Sequence, residues 1–175
     1  MLAEHCKGLK GRILEIGTGS GIAAIANAKA NPGNEIVAAD LNPEALECAK
    51  ANAKENGVEN ITFLKSDLFE NVQGRFNAIL FNPPYLPTSK EEKLEGEANR
   101  AYDGGVEGRE VTEKFLAQFA EHLKPEGALL LVQSSLSGAE ETGRALEAAG
   151  FGVETVAEEP FFFEKLCLLR AQRTM

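Results

Sequence analysis

The chain has 175 residues, within the roughly 100–200 of a single domain, and its 43% hydrophobic and 26% charged residues argue against a disordered chain or a fibre. The formal net charge of −9, from 18 basic and 27 acidic residues, lacks the basic excess by which nucleic-acid binders gain phosphate affinity. No apolar run reaches the roughly 18 residues of a membrane span, and Cys6, Cys48 and Cys167 with His5 and His122 give neither a disulfide framework nor zinc-ligand spacing, so no metal is expected. The opening MLAEHCKGLKGR has no basic-then-apolar signal pattern, which points to a cytoplasmic protein.

Strand and helix patterns alternate along the chain, as in one α/β domain with a mostly parallel sheet spanning residues 1–175. Arg12–Ile16 reads as a first strand and Ser20–Ala30 as a helix stopped by Asn31-Pro32-Gly33. Glu35–Asp40 is a second strand. Asn42 and Pro43 start a helix that runs to about Asn56 and ends at Gly57. Ile61–Lys65 and Phe76–Phe81 are the third and fourth strands. Val111, Phe115, Phe119 and Leu123 recur every fourth position and predict one helix, broken by Pro125-Glu126-Gly127. Ala128–Val132 is a buried fifth strand, and a helix over Ala139–Ala149 ends at Gly150. The tail, Phe151–Arg170, reads as two short strands around Pro160, with an antiparallel pair as one arrangement. Between strand four and the next helix, Asn82–Glu107 has no periodicity. A long loop at the carboxyl end of a strand is where open α/β folds place ligands.

The first strand runs into Glu15-Ile16-Gly17-Thr18-Gly19-Ser20-Gly21 and then a helix. Glycines let the backbone turn sharply and approach a ligand closely, and a helix start offers unpaired N–H groups to an anionic group. A dinucleotide fingerprint would need glycine at position 22, which is Ile22. Asp40 ends strand two, where a carboxylate accepts ribose hydroxyls in nucleoside-binding folds. Asp67 ends strand three. Singly, each has a plainer reading, as a turn former or helix cap. Their order at consecutive strand ends points to one cofactor site.

After strand four comes Asn82-Pro83-Pro84-Tyr85. Two prolines make a stiff turn with free carbonyl oxygens, and an Asn side chain adds another acceptor. The turn suits a planar –NH₂ group: the Asn82 side-chain oxygen and the Pro83 carbonyl take its two hydrogens, and Tyr85 lies against a flat acceptor. Alone, the same turn would be a rigid surface feature with a capping Asn.

The GxGxG spacing with Glu15 resembles the first motif of class I S-adenosylmethionine-dependent methyltransferases. With AAD, SDLF and NPPY, the chain resembles the HemK-type protein glutamine methyltransferases, and Gly104-Gly105 followed by Gly108-Arg109-Glu110 resembles their short eukaryotic and archaeal branch. The resemblance implies a Rossmann-like, mostly parallel seven-stranded sheet with helices on both faces and an antiparallel C-terminal strand. It implies methyl transfer to the glutamine amide in the GGQ motif of a translation termination factor. S-adenosylmethionine would be the donor and S-adenosylhomocysteine the product. It assigns the cofactor to Glu15, Gly17, Thr18, Gly19, Gly21, Asp40, Leu41, Asp67, Leu68 and Asn82, catalysis to Asn82, Pro83 and Tyr85, and the acceptor to Asn82, Pro83, Pro84 and Tyr85. Family members carry a segment before the first strand that closes over the cofactor, and only Leu2-Ala3-Glu4-His5 matches its end. The short branch also implies a small zinc-binding activator. The apolar strand Ile61–Leu64, at a sheet edge in such a fold, is the expected place for it, against the plainer reading of a half-covered edge. NPPY is shared with enzymes that methylate base amino groups, so an adenine methyltransferase and a non-catalytic cofactor-binding subunit stand as alternatives. A lysine acceptor would need a base, and none is evident. Phe161-Phe162-Phe163 is expected to pack in the core of the last strands, Cys48 and Cys167 to be buried small hydrophobes, and His122 to favour the end of its helix. Arg100 and Arg109 would touch substrate or fix the loop.

Overall fold

The computed structural model describes residues 1–84 and 109–174. The chain enters through a short helix α1 (Leu2–His5) and a 3-10 turn at Cys6–Gly8, followed by β1 (Arg12–Ile16), α2 (Ile22–Ala30), β2 (Glu35–Asp40), α3 (Pro43–Glu55), β3 (Ile61–Lys65) and β4 (Phe76–Phe81). After the undescribed segment come α4 (Glu110–Leu116), α5 (Phe119–His122), β5 (Leu123–Ser134), a 3-10 turn at Ser135–Ser137, α6 (Ala139–Ala148), β6 (Phe151–Pro160) and β7 (Lys165–Arg173). The strands form one sheet in the order β3-β2-β1-β4-β5-β7-β6. The first five run parallel, and β7 is antiparallel to both its neighbours. No helix among the described residues is long and apolar enough to cross a membrane.

Central strands are covered on both faces, so they read as continuous apolar runs. Successive side chains of β1 still divide between two cores. Leu14 and Ile16 join Phe76, Ile79, Phe81, Phe115, Phe119 and Leu131 on one face. Ile13 joins Ala23, Ala24, Ile36, Leu80 and Cys6 under α1 and α2 on the other. The first of these cores is a chain of rings: Phe81 stacks on Phe115 with centroids 4.4 Å apart, Phe115 on Phe119 at 5.7 Å, and Phe119 meets Phe151 at 5.0 Å. Phe81 precedes Asn82 directly, so this aromatic column anchors the start of the proline turn. On the same rim, after β2, Asn42 caps α3 by accepting the Glu44 N–H at 2.8 Å, with Pro43 in the first turn.

The structure departs from the sequence expectations in the C-terminal half and at one position of α3. The single helix expected from Val111 to Leu123 is two helices, broken at Ala117-Gln118, and Leu123 begins β5. A strict four-residue repeat drifts about 40° per step around an α-helix, so one straight helix could not keep Val111 and Leu123 on one face. The break lets Phe115, Phe119 and Leu123 share a core. Strand β5 is longer than expected because Lys124–Gly127 bulges out between the pairs Phe76–Leu123 and Ala78–Ala128. The last two strands are a long antiparallel pair, and Phe161, Phe162 and Phe163 lie exposed at their turn, not in the core. Cys167 is buried but Cys48 is exposed, because Leu46, Ala49 and Ala53 define the buried stripe of α3 and position 48 falls beside it. His122 ends α5 with its ring stacked 4.6 Å from that of Phe69.

Candidate active site

The carboxyl ends of β3, β2, β1 and β4 lie side by side, and each delivers part of one site. Parallel pairing sets Ile16 opposite Phe81, so the residues that follow, Gly17 and Asn82, emerge together. A Cβ on Gly17 would lie 3.6 Å from the Phe81 ring and 4.0 Å from the Asn82 carbonyl oxygen. The glycine loop is also tied to β2: Thr18 N–H donates to the Ala39 carbonyl at 3.0 Å, and Gly19 N–H to Asp40 Oδ2 at 2.8 Å. Asp40 Oδ1 accepts the Asn42 N–H at 2.9 Å. The half-buried Asp40 carboxylate thus holds the loop with one oxygen and the next turn with the other, and each oxygen keeps acceptor capacity. Strand β3 joins through Ser66 N–H, which donates to the Asp40 carbonyl at 3.0 Å.

Glu15 points the other way, under α2. The α2 N-cap is Gly21, which has no side chain to satisfy the first helical N–H groups. Glu15 supplies the acceptor: its Oε2 takes the Ala24 N–H at 3.0 Å and the Thr18 hydroxyl at 2.6 Å. Burial pushes its carboxyl up to about 7, the Asp40 charge adds to the rise, and the bonds from Thr18 and Ala24 oppose it. Glu15 therefore braces the glycine loop from beneath.

The loop glycines have different surroundings. Gly17, Gly19 and Gly21 all have φ between +54° and +80°. A Cβ on Gly19 would meet nothing within 4 Å, whereas one on Gly21 would lie 3.0 Å from Ala49 Cβ. Gly21 N–H is already spent on the Thr18 carbonyl at 2.8 Å. Gly19 therefore leaves open space above the loop, and Gly21 lets α2 approach α3.

Beyond β3, Asp67 is exposed and Leu68 half-buried, two residues past the strand end. Leu68 is the only non-glycine among the described residues with positive φ, at 47°. Ser66 Oγ pins it by donating to the Leu68 carbonyl at 2.9 Å while accepting the Asn71 N–H at 3.0 Å. A strained turn held by its neighbours fixes the direction of Asp67 and Leu68. The strain had no sequence signal, since leucine is a poor residue for that conformation. Leu41 is exposed next to Asp40. In the proline turn, Asn82 is exposed, Pro83 buried and Pro84 half-buried. Tyr85, Arg100 and most of the Ala101–Val111 motif lie outside the described residues.

A model of the methyltransferase small domain family matches residues 1–98. The chain belongs to that family. Among relatives of this methyltransferase domain, MJ0928 of Methanocaldococcus jannaschii, provisionally named a protein N5-glutamine methyltransferase, is 48% identical over 92% of this chain and 81% of its own length. The release factor glutamine methyltransferase of Deinococcus radiodurans is 39% identical over 70% of this chain, which spans only 45% of that longer protein. Among solved structures, the E. cuniculi Mtq2-Trm112 complex, described as responsible for methylation of the eRF1 translation termination factor, superposes with a TM-score of 0.73 at 22% identity, covering 98% of this chain and 91% of that one. That likeness confirms the class I methyltransferase fold.

The sequence left Arg109 with two roles, touching substrate or fixing the loop, and its contacts are of the fixing kind. Arg109 is buried, and its Nη1 donates to the Ser137 carbonyl at 2.7 Å, the Gly138 carbonyl at 2.9 Å and Thr142 Oγ1 at 3.3 Å. Thr142 in turn donates to Gln133 Oε1 at 2.9 Å. This network clamps the start of α4 to the end of β5 and the start of α6. The signal available was a lone arginine before a helix, which no pattern separates from a surface residue.

Proposed function

We propose that the chain transfers a methyl group from S-adenosylmethionine to the side-chain amide nitrogen of a glutamine in a protein, with the GGQ motif of a translation termination factor as acceptor. The names of the relatives favour a glutamine of a release factor, and the chemistry of the site fits an amide nitrogen. S-adenosylmethionine, when bound, supplies an electrophilic methyl group on a positively charged sulfur. Bare backbone at Gly17 and Gly19 gives it close approach, and the spare acceptor capacity of Asp40 suits ribose hydroxyls. Asp67 and Leu68, on their braced turn, are the side chains assigned to the base.

The acceptor nitrogen is held by the proline turn. An amide nitrogen is a poor nucleophile because its lone pair is delocalised. Asn82 Oδ1 and the Pro83 carbonyl each accept one of its hydrogens, which fixes its direction and favours pyramidalisation. Pro83 is buried and Phe81 is locked in the aromatic column, so the backbone that carries these acceptors is set before the substrate arrives. The work is positioning and preorganised polar contact, which needs no base of tuned pKa before transfer; as the nitrogen–methyl bond forms the methyl–sulfur bond breaks, and the surplus proton on the nitrogen then passes to solvent. The family resemblance assigns Tyr85 to the same clamp. The observation that carries this reading is the juxtaposition of Gly17 with the Asn82 carbonyl, which brings the donor loop and the acceptor clamp within one strand spacing.

The β3 edge is the proposed seat of a small zinc-binding activator. Its residues Ile61, Phe63 and Leu64 are only half-buried, and among the described residues no strand pairs with its outer edge. The reaction is assigned to the cytoplasm, with its protein acceptor. The test is incubation with labelled S-adenosylmethionine, a termination factor with and without such an activator, and DNA and RNA. Label on the factor supports the reading. Label on adenine, or cofactor binding without transfer to any acceptor, overturns it.

A further inference from the structure

The turn between β6 and β7 is built from the wrong residues for a turn. Phe161 N–H donates to the Glu164 carbonyl at 2.7 Å, which closes the turn and leaves Phe162 and Phe163 at its centre. Such positions favour Gly, Asn and Asp. Neither phenylalanine has a positive φ, so no unusual backbone explains them. Their rings meet edge to face, 4.8 Å between centroids, and stand in solvent at 93% and 84% exposure, with Phe161 at 54%. Rings this exposed contribute little to the core, and hydrophobic surface of this kind marks a contact with something else.

Topology places the knob on the rim that carries Asn82. Strand β7 runs opposite to β5, so its first residue, Lys165, lies at the carboxyl end of β5, where Ser134 pairs with Leu166. Lys165 N–H donates to Ser135 Oγ at 2.9 Å, which ties the knob to the Ser135–Ser137 turn and to Leu136, itself 57% exposed. From β4 to β7 is two strand spacings, about 10 Å, and β5 rises about another 10 Å from Leu131, opposite Phe81, to Ser134, opposite Leu166. That lies beyond the amide group being methylated and within the footprint of the protein that carries it.

The charge around the knob selects the occupant. Glu158 and Glu159 precede it and Glu164 follows, with Glu140 of α6 close enough to act on Lys165. Among the described residues, two cations meet this fringe and both are already paired, Lys165 with Glu158 at 2.8 Å and the N-terminal amino group with Glu159 at 3.7 Å, which leaves the acids in excess. An acidic fringe repels RNA and anionic lipid, and a second copy of the chain would bring like charge to like. We infer that Phe162, Phe163 and Leu136 form an apolar anchor that docks the body of the acceptor protein, in an apolar pocket rimmed by Lys or Arg, and so help choose which protein presents its glutamine to Asn82. The inference rests on the methyl-transfer reading above.

The test uses Phe162→Ser/Phe163→Ser, with Phe162→Leu/Phe163→Leu as the conservative pair. Neither touches the proposed catalytic groups, so thermal stability and S-adenosylmethionine affinity should be unchanged. Steady-state transfer to a termination factor should show KM for the factor raised at least about tenfold by the Ser pair, with kcat within about twofold, and recovery in the Leu pair. Direct binding of a fluorescent factor should weaken in parallel. An unchanged KM and affinity, or a fall in kcat alone, overturns the anchor while leaving the proposed activity standing. Anchor-dependent binding without methylation overturns the activity and not the anchor. A factor neither bound nor methylated overturns both. Loss of a dimer in sedimentation, or of binding to phosphatidylserine vesicles, in place of the effect on the factor would assign the knob to a second copy or a membrane, against the inference.

Discussion

Gly19 and Gly21 have similar backbone angles and are two residues apart, yet alanine at each should fail differently. Gly19 has φ +54° and Gly21 φ +80°, so either alanine incurs about 1–2 kcal/mol of left-handed strain. The alanine also narrows the unfolded ensemble, which returns about 0.4–1 kcal/mol. At Gly19 nothing lies within 4 Å of the new methyl, so the net loss should be about 1 kcal/mol, or about 2–4 °C in Tm for a chain of this size. At Gly21 the methyl would lie 3.0 Å from Ala49 Cβ and 3.3 Å from Ile25 Cδ1. Overpacking of that kind adds about 1–3 kcal/mol, for a total near about 3 kcal/mol. Ligand affinity should rank the other way. The Gly19 methyl fills the open side of the loop and should weaken S-adenosylmethionine binding at least about tenfold, about 1.4 kcal/mol. The Gly21 methyl points at α3 and should change affinity less in the protein that remains folded. Urea titration gives the stabilities, and calorimetry below the unfolding transition gives the affinities. Equal stability losses, or unchanged affinity in Gly19→Ala, would refute this division of roles.

Glu15→Gln should remove a pH dependence of stability. Below about pH 4.5 the carboxyl is protonated in both states; from there to about 7 the unfolded chain has lost its proton and the folded chain has not, so stability falls as pH rises, by up to about 3 kcal/mol in all. Urea midpoints compared at about pH 5 and about pH 8 should show that fall in the native protein and a flatter profile in the variant; parallel profiles would contradict it. Arg109→Met strips the Ser137 and Gly138 carbonyls of a charged donor and should cost about 3 kcal/mol, read as a lower Tm. A Tm within about 2 °C of the native protein would show the network to be idle. Asn82→Ala should leave donor affinity largely intact and lower turnover at least about tenfold, about 1.4 kcal/mol, in single-turnover transfer. Unchanged turnover would remove Asn82 from catalysis.

The first four strands were legible to the residue, because β1, β2 and β4 are central and largely apolar, and the edge strand β3 keeps a short apolar run between turn residues. The α3 start was equally plain, since Asn42-Pro43 satisfies a helix terminus by local chemistry alone. The glycine loop and NPPY could be placed on strand ends, but not their contact: that depends on β1 and β4 pairing with Ile16 opposite Phe81, a non-local register. Tertiary demands overrode local signals elsewhere. The aromatic column needed a break at Ala117-Gln118 that no glycine or proline announces. Pro125 and Gly127, which look like strand breakers, sit in a bulge. Phe161–Phe163 reads as core by composition because hydrophobicity carries no information on which side of a turn a ring will stand. The left-handed conformation of Leu68 and the partners of Arg109 were hidden for the same reason, since each depends on groups distant in sequence or on a turn yet to form.

The central claim is that the proline turn presents a glutamine amide to the donor loop. Tandem mass spectrometry of a termination factor after reaction, with the native protein and with Asn82→Ala beside it, tests this directly. The account predicts one added methyl group on the side chain of the GGQ glutamine, nearly absent with the variant. A methyl group on another residue type, or equal modification by both proteins, would contradict it.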